Sequence, residues 1–179
     1  MGQEPCGREV KGVIAFVGIG SNLGMPVENC REAIKKISAR SGIRLIRCSS
    51  LYRTEPVGPK DQDWFINAVA EIRTSLSARE LLEALQETER QMGRTKGPRW
   101  GPRVIDLDLL FYGRESHCEK GLVVPHPELH RRAFVLVPLC EIASYLIHPD
   151  FGVSISGLMQ RLDDTAKVEP YLMQEKERR

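Results

Sequence analysis

Asp106 and Asp108 lie two positions apart in Arg103-Val104-Ile105-Asp106-Leu107-Asp108-Leu109-Leu110-Phe111, a run with the alternation of a strand. On a strand this spacing sends both carboxylates to one face, while Ile105, Leu107, Leu109 and Phe111 take the other and anchor it in a core. Like charges held side by side repel and call for a cation. Arg94, Lys96, Arg99 and Arg103 crowd the loop just before them. A surface ion-pair network would use the same residue types. Four cations beside paired carboxylates, however, is the density that a magnesium-bound triphosphate requires. Hard carboxylate oxygens take Mg²⁺, which keeps phosphate oxygens and water in its shell. Guanidinium groups grip phosphate through paired hydrogen bonds. Neutralising a transferring phosphoryl group is the main task of that chemistry.

Other candidates are weaker alone. Gly18-Ile19-Gly20-Ser21-Asn22-Leu23-Gly24 lacks the Gly-Lys-Ser/Thr of a phosphate loop, and Leu23 replaces the last glycine of G-x-G-x-x-G. It reads as a tight strand-to-helix turn whose small residues let a ligand approach the backbone. Phe65 and Asn67 share one strand face and could stack on a flat heterocycle and bond its edge, although by spacing alone core packing for Phe65 and solvent exposure for Asn67 are the preferred reading. Trp100 and Phe134 read first as packing residues. His126 sits in the rigid turn Val124-Pro125-His126-Pro127 near Arg131 and Arg132, where an imidazole could meet phosphate.

These residues need elements to hold them. Residues 13–19 form an apolar run expected to be a buried strand, and Pro26 suits the first position of a following helix. A second strand is expected over 43–50, a loop over 53–63 and a third strand over 64–73. In the third strand Ile66, Ala68, Ala70 and Ile72 face one way, and Phe65, Asn67, Val69 and Glu71 the other. Ser77 and Glu80 make a capping box for a second helix with Leu81, Leu85 and Met92 on its stripe. A fourth strand follows over 104–112. The order β-α-β-β-α-β predicts an α+β, ferredoxin-like sandwich with two helices on one sheet face. A short strand at 121–124 and short helices over 130–142 and 154–162 extend it, and residues beyond Asp163 are expected to fray. The domain is therefore placed at 13–162, between a disordered extension (1–12) and a polar tail (163–179).

With 179 residues, 41% of them hydrophobic, the chain suits one domain with a proper core. A net charge of +2 gives no whole-molecule pull toward a polyanion. Five scattered cysteines (Cys6, Cys30, Cys48, Cys118 and Cys140) include no paired spacing and read as reduced thiols. The opening residues lack the apolar run of a signal peptide, and no stretch is apolar enough to span a bilayer, so a cytoplasmic location without membrane contact is expected. A non-catalytic nucleotide- or RNA-binding module could share the element order, but the aromatic signature of an RNA binder is missing and the Asp pair would repel a phosphate backbone without metal.

The stretches GSNLG, YRTEPVG, FINAV, GRTKGPRWGPRVIDLDLLFYG and VPHPELHRRAFVLVPLCEIA, in that order, resemble the 6-hydroxymethyl-7,8-dihydropterin pyrophosphokinases. The resemblance covers about residues 13–149. It implies transfer of pyrophosphate from ATP to the hydroxymethyl group of a reduced pterin, with release of AMP, as a step of folate synthesis. It further implies that Asp106 and Asp108 hold two magnesium ions. Arg94, Lys96, Arg103, His126 and Arg132 fall where the family places triphosphate-binding or catalytic cations, and Trp100 lies in the segment that closes over the substrates. Phe65 and Phe134 correspond to the aromatic plates about the pterin, Asn67 to the residue reading its edge, and Thr54, Glu55 and Val57 to loop contacts. ATP and the pterin are the implied partners, with no nucleic acid and a monomeric chain. Glu55 departs from the family, which often has proline there.

Overall fold

A computed structural model describes residues 12–59, 61–95 and 101–172. The first strand, β1 (Val13–Ser21), is buried along most of its length and lies between β4 (Phe65–Thr74) and β5 (Asp106–Tyr112), antiparallel to both. Two shorter strands, β2 (Ile43–Cys48) and β3 (Tyr52–Thr54), share the outer edge of β4: β2 pairs with its C-terminal half and β3 with Phe65–Asn67. Outermost lies β8 (Val168–Pro170), paired with β3. The sheet order β5-β1-β4, completed by β2 and β3, is the ferredoxin-like arrangement expected from the sequence.

Helices α1 (Pro26–Ser38) and α2 (Ala78–Gln91) cover one face. Pro26 opens α1 as expected, since its missing N–H has no helical partner to lose. The Ser77 side chain accepts from the Glu80 N–H, and Glu80 Oε2 accepts from the Ser77 N–H at 2.8 Å, so the predicted box is formed. Val27, Cys30, Ile37, Leu81 and Leu85 join Val17, Ile19, Ile72 and Leu107 in the core beneath these helices. Helices α3 (Ala133–Ala143) and α4 (Ile155–Gln160) pack on the other face against Phe16, Val69, Leu110 and Phe111. The molecule thus has three layers, with one core on each side of the sheet. A hairpin of β6 (His117–Glu119) and β7 (Leu122–Val124) follows β5.

Four expectations need correction. Phe111 does not share a face with Leu107 and Leu109: a register shift in the β1–β5 pairing sends it, with Leu110, into the α3 core. The expected 53–63 loop begins inside β3. The expected helix over 130–142 is interrupted at Arg132, whose extended backbone (φ −122°, ψ 110°) separates a 3₁₀ turn (Leu129–Arg131) from α3. The chain beyond Asp163 does not simply fray, because β8 hydrogen-bonds along β3 and the Tyr171 N–H donates to the Leu51 carbonyl at 2.8 Å. Among the described residues all four cysteines (Cys30, Cys48, Cys118 and Cys140) are free, and no helix is long and apolar enough to cross a membrane.

Candidate active site

On the α3 side of the sheet, α3 leaves one end of the strands uncovered, and a cleft of about 250 Å³ opens there. β1 supplies its floor through Gly18, Ile19 and Gly20. β4 contributes Phe65 and Asn67, β5 contributes Asp106 and Asp108, β3 contributes Thr54, and the chain after it contributes Glu55 and Val57. Arg103, His126, Arg132 and Phe134 complete the wall. Eleven of the predicted site residues therefore meet in one cavity. Lys96 and Trp100 lie outside the described residues.

The acidic end is built by β5. Its alternation puts Asp106 and Asp108 on one face, as the spacing predicts, and Leu107 and Leu109 in the opposite core. Asp106 Oδ1 takes an Arg94 guanidinium nitrogen at 2.8 Å and Arg103 Nη1 at 2.8 Å. Asp108 sits deeper. Burial, and secondarily the Asp106 charge, push its carboxyl up to about 6 against the pull of Arg132, Arg94 and Arg103. His126 caps this end. Its Nδ1 accepts the Glu128 N–H at 3.2 Å, which leaves the proton of a neutral ring on Nε2. Burial, then the Arg132 guanidinium, lowers this imidazole to about 4, so the ring is neutral at pH 7.

The other end is aromatic. Phe65 and Phe134 both line it, and the Arg132 guanidinium lies 5.7 Å from the Phe134 ring centre. Asn67 Nδ2 donates to Thr54 Oγ1 at 2.7 Å, which fixes the amide of a side chain that is almost fully buried. Gly20 pairs with Asn67 on one side and Asp106 on the other. A Cβ at Gly20 would lie 2.6 Å from Asn67 Oδ1, so only glycine leaves that amide in place.

Two further residues organise the cleft without having been singled out from the sequence. Glu89, on α2, is buried and accepts the Leu107 N–H at 2.7 Å between the two aspartates, while its Oε1 also pairs with Arg94. It thereby holds the arginine that reaches Asp106. Burial raises its carboxyl to about 7. The signal was present: Leu81, Leu85 and Glu89 follow one another at i+4, so a glutamate sits on an apolar stripe. Asn22, also buried, accepts the Arg103 N–H at 2.7 Å through Oδ1 and donates from Nδ2 to the Asp63 carbonyl at 3.0 Å. It joins the turn after β1 to the loops on either side of the cleft. A lone Asn in a glycine-rich turn gives no sequence signal of such a role.

Paired carboxylates under a cluster of arginines, opening onto an aromatic slot, form a cleft with the chemistry to hold a phosphate chain beside a flat ring. Comparison with known proteins narrows this reading. Residues 16–144 match the family model for 7,8-dihydro-6-hydroxymethylpterin-pyrophosphokinase. The 2-amino-4-hydroxy-6-hydroxymethyldihydropteridine pyrophosphokinase of Haemophilus influenzae is 44% identical over 152 residues, covering 85% of this chain and 94% of that protein. The protein of the same name from Synechocystis is 43% identical over 152 residues, covering 85% of this chain and 77% of that one. Wild-type HPPK-DHPS of Plasmodium falciparum, solved with STZ-DHP, superposes with a TM-score of 0.66 at 15% identity over 84% of this chain, a likeness of fold. The chain spans 43% of that solved chain, less than half its length. The chain belongs to the 7,8-dihydro-6-hydroxymethylpterin-pyrophosphokinase family and is a pyrophosphoryl transferase.

Proposed function

We propose that the protein transfers the pyrophosphoryl group of ATP to the hydroxymethyl oxygen of 6-hydroxymethyl-7,8-dihydropterin, giving AMP and the pterin pyrophosphate of folate synthesis. The observation that carries this reading is the convergence in one cleft of Asp106, Asp108, Arg103, Arg132 and His126 with Phe65, Phe134 and Asn67. A triphosphate and a flat polar heterocycle can lie end to end along it. The substrate oxygen forms a bond to the β-phosphorus, the bond from that phosphorus to the α,β-bridging oxygen breaks, AMP leaves, and the hydroxyl proton passes to solvent.

The donor set fits Mg²⁺. Among the described residues no three His, Cys, Asp or Glu side chains converge as a metal cage. Mg²⁺ needs only one or two carboxylates when phosphate oxygens and water fill the rest of its shell. The raised carboxyl of Asp108 beside Asp106 marks a pair that gains from a cation. Asp106 and Asp108 would hold two ions, which would neutralise the phosphates and polarise the β-phosphorus. Arg94 and Arg103 then exchange Asp106 for phosphate oxygens, and the Nε2–H of His126 is available to donate to another. Phe65 and Phe134 stack on the pterin faces while the Thr54-held amide of Asn67 bonds its edge. Glu55 and Val57 border the acceptor, and closure over both substrates limits hydrolysis. The chain is taken to work as a cytoplasmic monomer.

Incubation with ATP, Mg²⁺ and the reduced pterin, followed by nucleotide chromatography, tests the reading. AMP should appear in step with pterin pyrophosphate. ADP in place of AMP, or AMP formed without pterin, would overturn it.

A further inference from the structure

Residues 164–171 lie beyond the 16–144 stretch matched by the family model, yet they touch both walls of the aromatic slot. We infer that this C-terminal segment is a brace that sets the pterin end of the cleft, with Asp164 as its positioning residue. The inference rests on the proposal that this end of the cleft binds the pterin.

At one wall, α3 begins at Ala133 between Arg132 and Phe134, and its N-cap residue, Arg132, makes no capping bond with its own side chain. The missing acceptor comes from 31 positions away: Asp164 Oδ2 takes the Ala133 N–H at 2.8 Å. A carboxylate at this end also suits the positive pole of the helix. The other oxygen, Oδ1, takes the Ala166 N–H at 3.0 Å, so one side chain both caps α3 and turns the chain toward the opposite wall. There Lys167 grips Glu55 twice. Its carbonyl accepts the Glu55 N–H at 3.1 Å, and its own N–H donates to Glu55 Oε2 at 3.2 Å. β8 then pairs Val168 with Thr54 and Pro170 with Tyr52. Thr54 in turn pairs with Phe65 and orients Asn67. The two ends of the brace therefore hold Phe134 on one side and the Thr54–Asn67–Phe65 set on the other, joined through residues 164–167. None of these bonds reaches Asp106 or Asp108, and Arg132, which adjoins Ala133, has its own backbone anchor in the Leu129 carbonyl at 3.4 Å.

Selectivity between the two substrates is the test, made on full-length protein. Asp164→Ala should raise the KM for the pterin, and its Kd measured calorimetrically, by about five- to tenfold, the effect of one lost hydrogen bond of ordinary strength. The KM for ATP should stay within about twofold. Asp164→Asn, which keeps one acceptor oxygen, should fall between Asp164→Ala and the parent. Hydrogen exchange at the Ala133 amide should quicken in the same order. A thermal melt of each variant confirms folding before kinetics. A lowered Tm with both KM values unchanged, or equal rises for the two substrates, would overturn the brace. Failure of the parent itself to make AMP would instead remove the pterin reading on which it rests.

Discussion

Each aspartate of the pair has a different electrostatic situation, and this separates activity from stability. Asp106 is already paired with Arg94 and Arg103, whereas Asp108 is pushed up to about 6 by burial and by Asp106. A carboxyl raised in the folded state stabilises fully below its unfolded value near 4, and that contribution is lost as pH rises through about 6. At pH 7 ionised Asp108 therefore opposes folding of the ligand-free chain. Asp108→Asn should raise Tm at pH 7 and Asp106→Asn should not, while kcat falls by about 100- to 1,000-fold in both. Melts and steady-state kinetics on the two proteins check this, and undiminished turnover in either would remove that residue from the metal site. His126 gives the opposite sign. Its ring is lowered to about 4, so its contribution is present above 6.5 and lost as pH falls through 4. Nearby phosphate favours the imidazolium, so saturating nucleotide should raise the titration midpoint by at least about one unit. NMR of the ring carbons reads it directly, and an unmoved midpoint would place phosphate elsewhere.

The elements that carry this chemistry were legible in proportion to their length and periodicity. β1, β4, β5, α1 and α2 all stand where apolar alternation or helical spacing put them, and the Ser77–Glu80 box marks where α2 starts. Ser77→Ala should cost about 1 kcal/mol. Tm should then drop by about 2–4 °C with kcat unchanged, since the box is remote from the cleft. β3, β6 and β8 escaped because three residues make too short a period to read unless all are apolar, as in Leu122-Val123-Val124 of β7. The Phe111 reversal escaped because a bulge depends on the partner strand and leaves no trace in its own sequence. Glu89 shows the converse: it was visible as a misplaced charge on a helical stripe, but its partners, Arg94 and the Leu107 N–H, exist only once α2 packs on β5. Glu89→Ala strands both partners and should cost about 3 kcal/mol. Because the carboxyl is raised to about 7, its contribution is complete below 4.5 and lost as pH rises through 7. Glu89→Gln should accordingly flatten the stability profile across that window in a series of melts.

For the molecule as a whole, the sequence pointed to the residues that line the cleft more readily than to the long-range links that shape it. Residue type and spacing are enough to nominate Asp106, Asp108 and Arg103 and to raise Phe65, Asn67 and His126 as weaker candidates, and resemblance promoted those three and added Thr54, Glu55, Val57 and Phe134; the structure assembles these ten around one cavity. What the sequence could not reveal is how distant segments hold that cavity open: Asn22 tying two loops together, and the C-terminal chain spanning both walls. Such links join residues 31 to 112 positions apart and have no local signature.

The pairing of Arg94 and Arg103 with Asp106 has a consequence for how the protein responds to its ionic surroundings. The ligand-free chain is internally self-salted, and an arriving polyanion takes over cations already engaged. Binding therefore trades one counter-anion for another and adds few new ion contacts. Nucleotide affinity should fall more gently with added potassium chloride than the number of cleft arginines suggests, and Asp106→Asn, by releasing Arg103 while Glu89 still holds Arg94, should steepen the slope.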